Sequence, residues 1–196
     1  GEDRKDAGMM LRVFFETFKN QRKAPALIMK TSGAGFSVMD RTEILKRINQ
    51  IKLSIPAETL PEVYLLHGDL TDDEMNQMYN HPKVKAHLTF THGEGFGRPL
   101  LEASFSGRPI IAPVSTGQAD FLDKKNVVEL PHTMTKVPQN AFPQQYWNQD
   151  ALWSTVNYPI AAKIIKDVYE SYDKYKLRAK KLMLINRSTF SFDEMK

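Results

Sequence analysis

Thr91-His92-Gly93-Glu94-Gly95-Phe96-Gly97-Arg98-Pro99-Leu100-Leu101-Glu102-Ala103 is the stretch whose reading decides the fold. Ala86 to Thr91 reads as a strand, followed by a loop with three glycines and a helix from about Arg98 to Phe105. Glycine lets a backbone take positive φ and approach a ligand closely. Pro99 suits the first turn of a helix. The start of such a helix offers free N–H groups and partial positive charge, which together suit an anion.

Working outward, the same alternation continues on both sides. Ala7 to Asn20 has Met10, Leu11, Phe14 and Phe18 at helical spacing. Ala26 to Met29 is a short buried strand ending at Lys30, with Pro25 before it and Thr31-Ser32-Gly33-Ala34-Gly35 after it. Asp40 to Glu43 reads as a capping box opening a helix with Ile44, Ile48 and Ile51 on one face, closed before Pro56. Val63 to Leu66 is a strand, with His67-Gly68-Asp69-Leu70 as its exit loop. Thr71 to Glu74 is a second capping box, opening a helix that ends by Pro82. Ile110-Ile111-Ala112 is a strand, and Val127 to Leu130 is one more.

Helices alternating with strands predict an α/β fold, a parallel sheet flanked by helices and joined by right-handed crossovers. Ligands of such sheets sit beyond the C-terminal strand ends. The loops after Lys30, Leu66, Thr91 and Ala112 therefore face the expected site. Residues 131–150, with Pro131, Pro138 and Pro143, read as an irregular surface excursion. Residues 159–187 read as one or two amphipathic helices with Ile160, Ile164, Ile165, Val168 and Tyr172 buried. The whole of 1–196 is expected to be a single domain.

Composition narrows the function. The 196 residues are 41% hydrophobic and 26% charged, as in ordinary soluble proteins. With no cysteine, disulfides, thiolate metal sites and thiol nucleophiles are excluded. The five histidines show no metal-ligand spacing, and no Asp-x-Asp pair follows a strand, so neither a metal nor another cofactor is expected. The net charge of +4 is spread along the chain, densest at Lys174, Lys176, Arg178, Lys180 and Lys181. That run reads first as a solvated helix face, and second as a peripheral contact with an anionic membrane. Aromatic residues are not interleaved with it, so no nucleic acid partner is expected. No apolar run reaches the roughly 20 residues that span a bilayer, and the charged N-terminus has no signal-peptide core. A cytoplasmic location, with membrane association as an option, is the expectation.

Two carboxylates frame the anion site, Glu94 in the loop and Glu102 about a turn into the helix. A bare phosphate would not choose such neighbours. A nucleoside-diphosphate sugar would, because its hydroxyls donate on either side of the diphosphate, and charge-assisted hydrogen bonds contribute roughly 1.5–3 kcal/mol each. The run resembles the E-G-F-G-x-P-x-x-E-A signature of family 4 retaining glycosyltransferases of GT-B fold, with Gly95, Phe96, Gly97, Pro99 and Ala103 all in place. The resemblance extends from Arg4 to about Leu122, taking in Ser106 to Ala112 and Ser115 to Leu122, and more loosely through Trp153 to the tail.

The resemblance implies a Rossmann-like donor-binding half whose N-terminal acceptor domain is absent from this chain. It implies that Glu94 holds donor-sugar hydroxyls as the catalytic residue, and that Glu102 accepts from the ribose. Gly95, Phe96 and Gly97 would line the sugar and phosphates. Arg4-Lys5 resembles the family's Arg-Lys turn, which makes Lys5 the first diphosphate cation. The further Arg of that turn is not present, and the chain starts on a charged turn where a strand is expected, so a truncated chain is expected. The loop ending at Leu70 matches where the family contacts the base. Lys30, at a strand end on the ligand side, is a second candidate cation, against the alternative of a surface lysine. His92 is read as an incidental loop histidine with an option of sugar contact. Tyr146, Trp147 and Trp153 could stack on sugar, though such residues more often pack a flap. Other readings are a non-catalytic nucleotide-binding or interaction module, and a GT-B nucleotide-sugar epimerase.

Overall fold

The computed structural model describes residues 4–31, 38–141 and 148–190. The loop read at Gly33 to Gly35, the aromatic pair Tyr146 and Trp147, and the tail 191–196 lie outside those residues. The chain begins with helix α1 (Ala7–Phe18), strand β1 (Leu27–Thr31), helix α2 (Val38–Leu53), strand β2 (Val63–His67) and helix α3 (Asp72–Asn80). It continues with β3 (His87–Leu88), α4 (Arg98–Ser104), β4 (Ile110–Ala112), a 3-10 turn (Thr116–Asp120) and β5 (Val128–Glu129). It closes with β6 (His132–Lys136), β7 (Leu152–Val156), α5 (Tyr158–Glu170) and α6 (Tyr172–Thr189).

The expected α/β alternation is present, and every pair among β1 to β5 is parallel. The sheet is in two pieces, β1–β2 and β3–β4–β5. β4 is buried along its length and packs on both faces. Ile111 joins Phe14 and Phe18 of α1, Phe90, and Ala161 and Ile165 of α5. Its neighbour Ile110 points the other way, into Tyr79, Leu100, Leu101 and Leu182 from α3, α4 and α6. A third cluster sets Leu11 and Phe15 of α1 against Met29, Ile51 and Val63. One helix, α1, thus packs beneath both pieces of the sheet.

The second capping box forms as read. The Thr71 hydroxyl accepts from the Glu74 N–H at 3.2 Å, and the Glu74 carboxylate accepts from the Thr71 N–H at 2.8 Å. Losing an N-cap costs about 1 kcal/mol, so Thr71→Ala should lower stability by about that much in a denaturant melt. The first box does not open its helix. α2 already runs from Val38, so Asp40 lies inside the first turn and Glu43 instead bonds Arg47 at 3.1 Å.

Four other expectations need correction. Residues 131–150 are not irregular throughout, because His132–Lys136 forms β6 and pairs antiparallel with β7. β3 covers only His87–Leu88 of the strand expected over 86–91. In the tail, Ile165 and Val168 are buried, but Ile160 is 40% exposed and Ala161 takes its place in the core. The basic run is only partly a solvated face. Arg178 donates to the carbonyls of Lys125 and Val127, holding the turn before β5. No helix among the described residues is long and apolar enough to cross a membrane.

Candidate donor-binding site

The loops after β3 and β4 meet at the C-terminal edge of the sheet, joined by one backbone–backbone bond and one bond to a side-chain hydroxyl. The Gly117 N–H donates to the Glu94 carbonyl at 3.1 Å, and the Glu94 N–H donates to the Thr116 hydroxyl at 2.9 Å. Thr116 holds a left-handed φ of 56°, uncommon for a β-branched residue. Gly117 is there because nothing larger fits: a Cβ would lie 1.9 Å from the Gly95 carbonyl oxygen. Gly97 has φ 91° and begins α4, which no side chain caps.

This clamp presents the Glu94 carboxylate, whose side chain is only 12% exposed. Lys5 Nζ lies 2.5 Å from one of its oxygens and the Arg4 guanidinium 3.1 Å from the other. The Thr91 hydroxyl donates to it at 2.9 Å. Burial pushes the Glu94 carboxyl up, but the hydrogen bonds from Lys5, Arg4 and Thr91 together outweigh burial and hold it below the usual range. Arg4 also donates to the Gly93 carbonyl. The Arg4 carbonyl in turn accepts from the His92 N–H at 2.9 Å. Asp6 accepts from the Tyr158 hydroxyl at 2.7 Å.

Glu102, on α4, accepts from Arg98 Nε at 2.5 Å. Burial, and then the nearby Glu102 carboxylate, push the Tyr79 phenol up to about 12. Arg98 also lies 3.7 Å from Asp72, two residues after Leu70. The loop expected at the base and the carboxylate expected at the ribose are therefore neighbours. Lys30 donates to the Gly68 carbonyl at 2.7 Å, within the same exit loop, and no described contact joins it to Glu94. Phe96 is 42% exposed, its ring beside Phe121 and Phe190.

His92 and Trp153 belong to the framework. Their rings stack at 3.8 Å, and His92 Nδ1 is 2.7 Å from the Ser154 carbonyl, so the pair ties β7 to the Glu94 loop. A cleft of about 860 Å³ opens alongside, lined by Asp6, Arg12, Ile48, His92, Trp153 and Tyr158. Glu94 and Glu102 lie outside its lining. Sequence reasoning gave no role to Thr91, Arg98 or Thr116. Position was the available signal, since each lies within or beside the quoted run or on the facing loop.

Solved structures share this fold. Anabaena Alr3699/HepE, in complex with UDP and glucose, superposes with a TM-score of 0.60 at 18% identity, over 96% of this chain and 41% of that one. The pneumococcal O-GlcNAc transferase GtfA, in complex with UDP and GlcNAc, gives 0.57 at 18% identity, over 92% of this chain and 30% of that one. The fold is that of the GT-B glycosyltransferases. The C-terminal domain of the group 1 glycosyl transferase LpcC from Francisella tularensis agrees, with 0.57 at 16% identity over 100% of this chain and 83% of that domain. The chain thus spans about two fifths of the length of HepE. No protein-family model matches the sequence, and no curated protein does.

Proposed function

We propose that this chain is the donor-binding half of a retaining glycosyltransferase and holds a nucleoside-diphosphate sugar. The acceptor would bind a further domain that precedes it in a longer protein. One observation carries the reading: Glu94 is held by Lys5, Arg4 and Thr91 beside the glycine loop, at the C-terminal edge of a parallel sheet. That is where the fold places ligands. Support comes also from the likeness to glycosyltransferases solved with UDP, UDP-glucose and GlcNAc.

In this reading the base lies against Leu70 and the ribose hydroxyls donate to Glu102. The diphosphate meets Lys5 and Arg4. The Glu94 oxygen that faces Arg4 takes no other described donor, so it can accept a sugar hydroxyl. As the bond from the sugar to the diphosphate breaks, negative charge grows on the leaving oxygen. Lys5 and Arg4 stabilise it from fixed positions, with no metal needed. Lys30 would join them only by leaving the Gly68 carbonyl. Gly95, Phe96 and Gly97 present backbone to the sugar.

Calorimetric titration of UDP, GDP and ADP into the chain, beside Glu102→Ala, tests the proposal. One nucleotide should bind. The variant should bind it roughly 10- to 150-fold more weakly, the equivalent of a lost charge-assisted hydrogen bond of about 1.5–3 kcal/mol. No binding at millimolar concentration by any of the three overturns the proposal.

A further inference from the structure

Arg98 stands between Gly97 and Pro99, at a position that the E-G-F-G-x-P-x-x-E-A signature leaves open, so the resemblance gives it no role. Its surroundings give one. Four positions separate it from Glu102, so the two side chains share one face of α4. Arg98 Nε donates to Glu102 Oε1 at 2.5 Å, and its Nη2 lies 3.7 Å from Asp72 Oδ1 at the start of α3. The pair differs from Glu43 and Arg47 on α2, where both side chains are more than half exposed. The Glu102 side chain is only 32% exposed, and Arg98 reaches a second helix.

The way the guanidinium divides its donors matters. A side-on fork would set two N–H groups on the two oxygens of one carboxylate. Arg98 instead gives Nε to Glu102 and turns Nη2 toward Asp72, so Glu102 Oε2 takes no described donor. A carboxylate oxygen has two acceptor sites, so Oε2 can take hydroxyls from a ligand while Oε1 stays anchored. A glutamate side chain free in water loses rotamer freedom when a ligand fixes it, and one already held by a neighbour has less to lose.

We propose that Arg98 is a positioning residue that holds Glu102 by one oxygen and leaves the other open to the ribose hydroxyls of the donor. Asp72 keeps the guanidinium from closing on both oxygens. It also lies two residues after Leu70, so Arg98 ties the loop placed at the base to the carboxylate placed at the ribose. The inference rests on the donor reading and deepens it: the preference for ribose depends on a side chain that acts through Glu102.

Calorimetry with UDP, GDP and ADP, each beside its 2′,3′-dideoxy counterpart, tests it. The nucleotide that binds should be favoured over its dideoxy form. Arg98→Leu should narrow that preference roughly three- to tenfold while changing affinity for the dideoxy form by less than about twofold. Arg98→Lys should recover part of the preference, because an ammonium reaches Glu102 but cannot serve both carboxylates. In a Glu102→Ala background, Arg98→Leu should leave the preference unchanged. Equal losses for both forms would make Arg98 a structural or phosphate-binding residue and overturn the proposal. So would an undiminished preference in Arg98→Leu, or an effect that persists without Glu102. No binding by any nucleotide removes the donor reading and this inference with it, whereas binding with the preference intact in Arg98→Leu removes this inference alone.

Discussion

Gly117→Ala should unfold the loop that carries the site. The new Cβ would lie 1.9 Å from the Gly95 carbonyl oxygen and 3.0 Å from the Phe96 Cα, both backbone atoms that cannot swing aside. Relief requires the 3-10 turn to lift off the Glu94 loop. That breaks the Gly117 bond to the Glu94 carbonyl and the Thr116 bond to the Glu94 N–H. Overpacking of this kind costs about 3 kcal/mol, and a protein of this size loses roughly 2–4 °C of melting temperature per kcal/mol. A drop of roughly 6–12 °C is expected by differential scanning calorimetry and, under the donor reading, nucleotide binding should be lost with it. A melt within about a degree of the unchanged chain would show that the loops do not meet as described.

The second large effect is at Glu94. Glu94→Gln keeps the shape but removes the charge that gathers Lys5 and Arg4. Both cations are about half exposed, so each pair contributes only about 0.2–1 kcal/mol after solvent screening. The Thr91 bond to a carboxylate adds about 1 kcal/mol or more. The variant should therefore be less stable by about 1–2 kcal/mol at neutral pH. The sign with pH follows from the direction of the shift. The folded carboxyl sits below its unfolded value of about 4.3, so its contribution is whole above that pH and is lost as pH falls through the lower, folded value. Melts from pH 7 to 3 should bring the two proteins together at the acid end. Under the donor reading, the variant should lose more affinity for a nucleotide sugar than for the bare nucleotide. Equal losses for both would take the sugar contact away from Glu94.

Most elements were legible because their patterns are local. Leu11, Phe14 and Phe18 mark α1 by period, and Thr71 with Glu74 marks the start of α3 by a reciprocal cap. β6 escaped because three prolines nearby read as irregularity. The alternation of threonines at 133 and 135, answered by a second alternating run over Leu152–Val156, was the signal that could have found it. The two carboxylates were legible as a motif, but their partners were not. Arg4 and Lys5 reach Glu94 across 90 and 89 positions, a separation no local pattern encodes. The approach of Gly117 to Gly95 and the divided sheet are also long-range outcomes. Lys30 shows the converse, since its strand-end position was read correctly while its ammonium turned to a neighbouring carbonyl.

The sharing of α1 between two clusters has a consequence for how the molecule breathes. β1, β2 and α2 rest on Leu11, Phe15 and Leu27, whereas β3 to β5 share a larger cluster with α5 and α6. Such packing predicts two cooperative units hinged on one helix, the smaller opening first, which amide hydrogen exchange would read as faster exchange in β1 and β2 than in β4 and β5. Leu70 follows β2, in the smaller unit, while Glu94 and Glu102 belong to the larger. A ligand touching all three would staple the labile half to the firm one, and part of its binding energy would be felt as rigidity far from where it sits.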